Sequence, residues 1–168
     1  FGCFGRILSH RDKANSKEVT MLFSHDGIHD SQTHLSSPSY FYEQLRREIL
    51  IAARTHKPLA LVKILFSNPE SDQVQARDVL HFAYELTQLT RQEECVGRLG
   101  INEVVIIVRD GKSHAEKLVQ RLLQATSLTV DHTLQIKLFT VLAEENEGSL
   151  SLLARLDRAE VCSIHSAG

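Results

Sequence analysis

The sequence predicts an α+β domain with a ferredoxin-like β-α-β-β-α-β core and one flanking helix at each end. Three observations predict this fold class. Apolar runs and helical repeats alternate in that order, and only a four-residue turn separates the two central strands. The 168 residues, 42% of them hydrophobic, suffice for one compact core. Many unrelated functions use such a core, so the order of elements alone indicates no chemistry.

The first helix and the first strand have clear boundaries in the sequence. Ser37-Pro38 marks a helix start, because serine caps free backbone amides and proline suits the first helical turn. Apolar residues then recur at helical spacing until Pro58, which ends the helix. The run 59–66 is almost wholly apolar, as in a central strand. A second helix is predicted over residues 72–90.

The second half of the chain supplies a hairpin and the remaining elements. Strands over 95–99 and 104–108 are separated by only four residues, which predicts a hairpin. Ser113 and Glu116 form a capping box for a third helix. Two further elements complete the order: a strand over 134–142 and a helix that opens at Ser149.

Composition and charge narrow the classes of partner. Nineteen basic and 21 acidic residues give a net charge of −2, which argues against a nucleic-acid partner. The three scattered cysteines predict no disulfide framework and no zinc site. His25, His29 and His34 are close together, but no well-placed cysteine or carboxylate completes a metal shell. The sequence therefore predicts no metal and no cofactor.

Residues 1–29 show no sustained periodicity and contain a basic stretch. They are expected to be a linker or a juxtamembrane segment of a longer protein, because the chain opens with Phe1. The domain itself is expected over residues 30–168. No apolar run approaches the length of a membrane span. The sequence thus predicts a cytoplasmic location, free or as the cytosolic part of a membrane-anchored protein.

Four segments carry a set of motifs in order and at matching spacing. Residues 30–41 keep the aspartate, threonine, second leucine and phenylalanine of D-x-L-T-G-L-x-N-R-x-x-F, and residues 48–61 meet E-x-x-x-A-x-R-x-x-x-P-L-x-L. Residues 91–104 follow R-x-x-D and then R-L-G-G-D-E-F, and residues 156–159 echo A-D-x-A. Together these segments resemble the GGDEF domains of bacterial diguanylate cyclases, over about residues 30 to 168. The alternative is an unrelated ferredoxin-like domain with a generic turn in its hairpin.

The resemblance implies that catalysis is lost. The family joins two GTP molecules into cyclic di-GMP, with magnesium held by carboxylates at the end of the first strand and at the third letter of GGDEF. Leu65 and Asn102 occupy those two positions here, and Ile101 replaces the second glycine. Glu103 alone keeps an acid, and one carboxylate cannot carry a two-metal mechanism. We therefore expect a vestigial hairpin without cyclase activity, made of Gly100, Ile101, Asn102, Glu103 and Val104.

The resemblance also implies a candidate ligand site. Many family members bind their product through R-x-x-D before the hairpin, and Arg91 and Glu94 fill those positions. Arginine can donate to guanine O6 and N7, and a carboxylate can accept from the guanine amino edge. Arg98 is expected to assist as a third ligand-binding residue. The alternative interpretation is that these residues form a solvated charge cluster at a helix end.

Three functional hypotheses follow from the resemblance. The favoured one is a non-catalytic regulatory module of a larger bacterial protein, which contacts other domains of the parent, protein partners or a second copy of itself. The second is a cyclic di-GMP receptor that binds through Arg91 and Glu94. The third is a weak residual nucleotide-binding enzyme with Glu103 near a phosphate, against which Leu65 and Asn102 count.

Overall fold

The computed structural model describes residues 27–129 and 133–165 and has the predicted β-α-β-β-α-β core with a helix at each end. The helices are α1 (Pro38–Thr55), α2 (Ala76–Leu89), α3 (Lys112–Gln124) and α4 (Ser149–Arg158). The strands are β1 (Leu59–Ser67), β2 (Cys95–Gly100), β3 (Glu103–Arg109), β4 (Gln135–Leu142) and β5 (Ser163–His165), with a 3-10 turn over Thr126–Thr129. Most of the predicted linker, including His25, lies outside the described residues. No helix in the described ranges combines the length and the apolar character that a membrane crossing requires.

One antiparallel sheet, in the order β2-β3-β1-β4-β5, separates two hydrophobic clusters. Alternate residues of β1 point to opposite faces, as the period of a strand requires. Val62 and Ile64 lie in the cluster covered by α2 and α3. Leu59 and Leu61 lie in the cluster covered by α1 and α4. Because both faces of the central strand are buried, residues 59–66 are apolar on both faces, with Lys63 as the one exception.

The predicted start of α1 is confirmed. The Ser37 hydroxyl oxygen accepts a hydrogen bond from the backbone N–H of Tyr40 at 3.4 Å, and Pro38 is the first helical residue. The helix ends at Thr55, and His56 follows in the left-handed region with φ of 54°. The chain therefore turns before Pro58 and enters β1 directly.

The second helix starts later than predicted, at Ala76 rather than at residue 72. Side chains in the preceding loop bond to nearby backbone instead. The Asn68 Oδ1 accepts from the backbone N–H of Glu70 at 2.9 Å, and the Ser71 hydroxyl accepts from that of Gln73 at 3.4 Å. Such local bonds offer the backbone an alternative to helix, so the segment forms turns.

The predicted capping box of Ser113 and Glu116 is wrong. Helix α3 begins at Lys112, its N-cap is Gly111 with φ of 78°, and no side chain caps it. The backbone of Gly111 runs against Pro58, and a Cβ at this position would lie 2.5 Å from the Pro58 Cβ. A glycine is needed for both reasons, and the helix starts directly after it. Strand β5 and the 3-10 turn are also additions to the predicted order.

Candidate functional site

The hairpin between β2 and β3 has the predicted position and a two-residue turn. Gly100 pairs with Glu103, which leaves Ile101 and Asn102 at the turn, and a bulge lies between Arg98 and Gly100. Neither turn residue has a positive φ. The turn thus avoids the left-handed backbone that a β-branched residue disfavours. The Ile101 side chain is 49% exposed at the tip.

The two positions that the resemblance assigns to metal carboxylates are apolar or neutral here. Leu65 lies opposite Glu103 on β3 and opposite Lys137 on β4, packed against the cluster under α1 and α4. The Asn102 carbonyl accepts from the backbone N–H of Phe66 at 3.1 Å. Its Oδ1 is buried and has no hydrogen-bond partner among the described residues. In the ranges that the structure describes, no group of three or more His, Cys, Asp or Glu side chains is placed to hold a metal.

The acid that remains in the hairpin is partly buried. Burial raises the pKa of the Glu103 carboxyl, the nearby Lys63 ammonium opposes that rise, and the charge of Asp157 adds to it. Burial likewise raises the pKa of Tyr42, and the charges of Glu103 and Asp157 raise it further. Lys63 Nζ lies 3.5 Å from Asp157 Oδ1 and Glu103 is diagonal to Lys63 across the neighbouring strand, so these three charged side chains share one corner of the domain at the hairpin end of the sheet.

The side chain of Arg98, three residues before Ile101 of the hairpin turn, makes only internal contacts. Its side chain is 1% exposed. Nη1 donates to Asp30 Oδ2 at 3.0 Å and to Gln32 Oε1 at 2.7 Å, and Nη2 donates to the carbonyl of Ile101 at 2.8 Å. The same Asp30 oxygen accepts from the N–H and the hydroxyl of Thr33. Arg98 thus joins the leading segment, residues 27–37, to the hairpin turn.

Arg91 and Glu94 lie together in the turn that follows α2. The backbone N–H of Arg91 donates to Glu94 Oε2 at 3.1 Å, and the N–H of Glu94 donates to the Arg91 carbonyl at 3.0 Å. The Glu94 carboxylate therefore caps the backbone of its own turn. The Arg91 guanidinium takes no part in these bonds.

A cleft of about 730 Å³ lies between this turn and α3. Arg91 and Glu94 line one side, and His114, Lys117 and Arg121 are among the α3 residues on the other. His114 Nδ1 and Arg121 Nε are buried without a hydrogen-bond partner among the described residues. Sequence reasoning missed these three residues, although their i, i+3, i+7 spacing places them on one face of a helix. Arg98, predicted to join Arg91 and Glu94, is not among the residues that line this cleft.

No protein-family model matches the chain, and no curated protein matches it in sequence. Solved structures do match. The diguanylate cyclase SiaD of Pseudomonas aeruginosa, solved with its activator SiaC, has a TM-score of 0.68 at 16% identity over 78% of this chain and 55% of that chain. The GGDEF domain of DgcB from Caulobacter crescentus, in complex with cyclic di-GMP, has a TM-score of 0.66 at 14% identity over 80% and 85%. A sensory box/GGDEF family protein from Caulobacter crescentus has a TM-score of 0.66 at 20% identity over 78% and 94%.

These matches show the fold. The chain has the α+β fold of GGDEF and nucleotidyl cyclase-like domains, as the sequence predicts. Identities of 14% to 20% leave function to be argued from the residues of the site.

Proposed function

We propose that residues 30–168 form a degenerate GGDEF-like domain that regulates a larger bacterial protein without catalysing a reaction. The observation that carries the proposal is the pair Leu65 and Asn102. At these positions the chain has an alkyl group and a neutral amide with a buried oxygen, where cyclase chemistry needs two magnesium carboxylates.

Phosphoryl transfer depends on positioning and on metal charge, because the protein performs little covalent chemistry itself. Magnesium takes oxygen ligands and keeps near-ideal octahedral geometry. Leu65 offers no oxygen, and Asn102 Oδ1 is enclosed by protein. Glu103 remains as one partly buried carboxylate, which cannot hold two metal ions. The third hypothesis, a residual nucleotide enzyme, is therefore the weakest.

A role in protein–protein contact requires none of the metal-binding residues that this chain lacks. The turn tip presents an exposed isoleucine, Ile101, where the resemblance expects a glycine that approaches the nucleotide. An exposed apolar side chain is better suited to contact with a protein surface than to contact with a phosphate group. The match to SiaD in complex with its activator supports the same view, because that protein carries this fold and binds a protein. The partner here is another domain of the parent, a separate protein or a second copy.

An assay with GTP and magnesium tests the loss of catalysis. We expect no cyclic di-GMP from the wild-type chain, and none from the double variant Ile101→Gly/Asn102→Asp, because Leu65 still removes a metal ligand. Product is measured by chromatography, with circular dichroism to verify folding. Product from the wild type would overturn the proposal. Product from the double variant alone would overturn the decisive role given to Leu65.

A second candidate function is a cyclic di-GMP receptor, and the cleft beside α3 is the observation that favours it. Its volume of about 730 Å³ suits a ligand of nucleotide size. Arg91, Lys117 and Arg121 bring positive charge toward a ligand with two phosphates. The buried nitrogens of His114 and Arg121 are donors or acceptors that still lack a partner among the described residues. The capping role of Glu94 counts against this function, because the carboxylate already accepts a hydrogen bond from the backbone N–H of Arg91.

Titration calorimetry with cyclic di-GMP tests the receptor function. If it holds, binding is micromolar, and Arg91→Ala and Arg121→Ala each weaken it by about tenfold or more, since hydrogen bonds to charged groups contribute roughly 1.5–3 kcal/mol. Arg46→Ala is the matched control, because Arg46 is an exposed arginine paired with Glu43 outside the cleft. Absence of heat with the wild-type chain would exclude the receptor function and leave the interaction module.

A further inference from the structure

One charged residue, Lys63, interrupts the apolar run of the central strand. Its side chain lies on the face covered by α1 and α4, between Leu61 and Leu65, and is only 6% exposed. Burying an ammonium group without a partner is costly, so its surroundings must compensate for the lost hydration.

Two contacts provide that compensation. The Lys63 Nζ lies 3.5 Å from Asp157 Oδ1 and 4.6 Å from the centroid of the Phe139 ring. An aromatic face attracts a cation at this distance. Asp157 lies in the last turn of α4, where the negative end of the helix dipole disfavours a carboxylate. The Lys63 ammonium therefore stabilises the Asp157 carboxylate, which the C-terminal end of α4 disfavours.

Glu103 is the third member of this group. It lies opposite Leu65 on the neighbouring strand, which makes it the diagonal neighbour of Lys63 on the same face. Such neighbours, about 7–8 Å apart, are within reach of long side chains. The Lys63 ammonium also opposes the rise that burial causes in the pKa of Glu103, in keeping with this diagonal arrangement. Lys137 lies on the far side of Leu65, two strand spacings or about 10 Å from Glu103.

We propose that Lys63 is an internal counter-ion, whose ammonium supplies to Glu103 and Asp157 the positive charge that a bound divalent cation would otherwise supply. The two carboxylates come from β3 and from the end of α4: Lys63 Nζ lies 3.5 Å from Asp157, and Glu103 is the diagonal neighbour of Lys63 on the adjacent strand. The inference rests on the proposed function only in taking the hairpin as non-catalytic. It follows that this corner stays folded without metal, and that removing the ammonium creates a cation site.

The test replaces Lys63 by methionine in the full chain and uses Mn²⁺ as the probe, with free Mn²⁺ followed by electron paramagnetic resonance. We expect Lys63→Met to bind Mn²⁺ at least about tenfold more tightly than the wild type, because one positive charge beside the two carboxylates is gone. Adding Glu103→Gln or Asp157→Asn to that variant should abolish the gain. Lys112→Met is the matched control, since Lys112 is an exposed lysine 3.8 Å from Glu116, and it should bind as the wild type does.

The proposal is overturned if Lys63→Met binds Mn²⁺ no better than the wild type, or if the gain survives removal of either carboxylate. Should Lys63→Met fail to fold, Lys63→Gln replaces it, and both are refolded in millimolar MnCl₂ under circular dichroism. Recovery of structure with Mn²⁺ supports the counter-ion role, and failure of both variants to recover contradicts it. These readouts are cation binding and folding. A negative result here is therefore distinct from cyclase activity, which would overturn the proposed function.

Discussion

Replacing Arg98 by alanine is expected to destabilise the domain by about 3–5 kcal/mol, the cost of breaking a buried ion pair from one side. Arg98 is 1% exposed, and its removal would leave the Asp30 carboxylate, itself 5% exposed, without a cationic partner. The Ile101 carbonyl would also lose a donor. A domain of this size has a total stability of roughly 5–15 kcal/mol, so the variant should be marginally folded. Urea denaturation followed by circular dichroism measures the change.

Two further variants show whether the ion pair between Arg98 and Asp30 accounts for the loss of stability. Arg46→Ala removes an exposed arginine at 3.5 Å from Glu43, and it should cost less than about 1 kcal/mol. Adding Asp30→Asn to Arg98→Ala should recover part of the stability, because the stranded charge is removed. Equal losses for Arg98→Ala and Arg46→Ala would contradict the structural role of this pair.

Replacing Gly97 by alanine is expected to cost about 3 kcal/mol, at the upper end of the usual range for overpacking a core. A Cβ at residue 97 would lie 2.7 Å from Cγ and 2.8 Å from Cβ of Phe41. Phe41 is fully buried between α1 and the sheet and cannot move without disturbing the second cluster. Thermal unfolding of the variant should show the loss as a lower midpoint temperature.

Gly148→Ala is the control for this substitution. Gly148 has φ of −81°, and a Cβ added there would meet no described atom within 4 Å, so its replacement should cost at most about 1 kcal/mol, the effect of alanine at a helix N-cap. Combining Gly97→Ala with Phe41→Ala should cost less than the sum of the two single changes, because the Cγ atom that the new Cβ would meet is gone. If Gly97→Ala were as stable as the wild type, the close approach of α1 to β2 would be wrong.

The elements that the sequence predicts well are those with local boundaries. Ser37 and Pro38 fix the start of α1 through groups within one helical turn, so the pattern suffices. The capping box of Ser113 and Glu116 is equally local, yet a contact between Gly111 and Pro58 from a distant part of the chain decides that helix start. Strand β5 has three residues, too few for any periodicity to show.

The same distinction applies to the candidate site. Arg91 and Glu94 are three residues apart, so their proximity could be predicted. Arg98 is bound by Asp30, 68 residues away along the chain, and no sequence pattern indicates that its guanidinium is buried. His114 and Arg121 share a visible helical face, but their position opposite Arg91 depends on how α3 packs on the sheet.

The leading segment, residues 27–37, also affects which edge of the sheet is free to pair with a further strand. Strand β2 is one edge of the sheet, and Ser36 runs along it: its N–H donates to the Val96 carbonyl at 2.9 Å, and its carbonyl accepts from the N–H of Arg98 at 3.0 Å. These two bonds occupy backbone groups in the middle of the edge, so β2 is a poorer template for strand addition by another molecule. We expect a fragment that begins at α1 to expose these groups of β2 and to aggregate more readily. Within the part of the chain that the structure describes, strand exchange with a second copy is thereby directed to the opposite margin, beside β4 and β5.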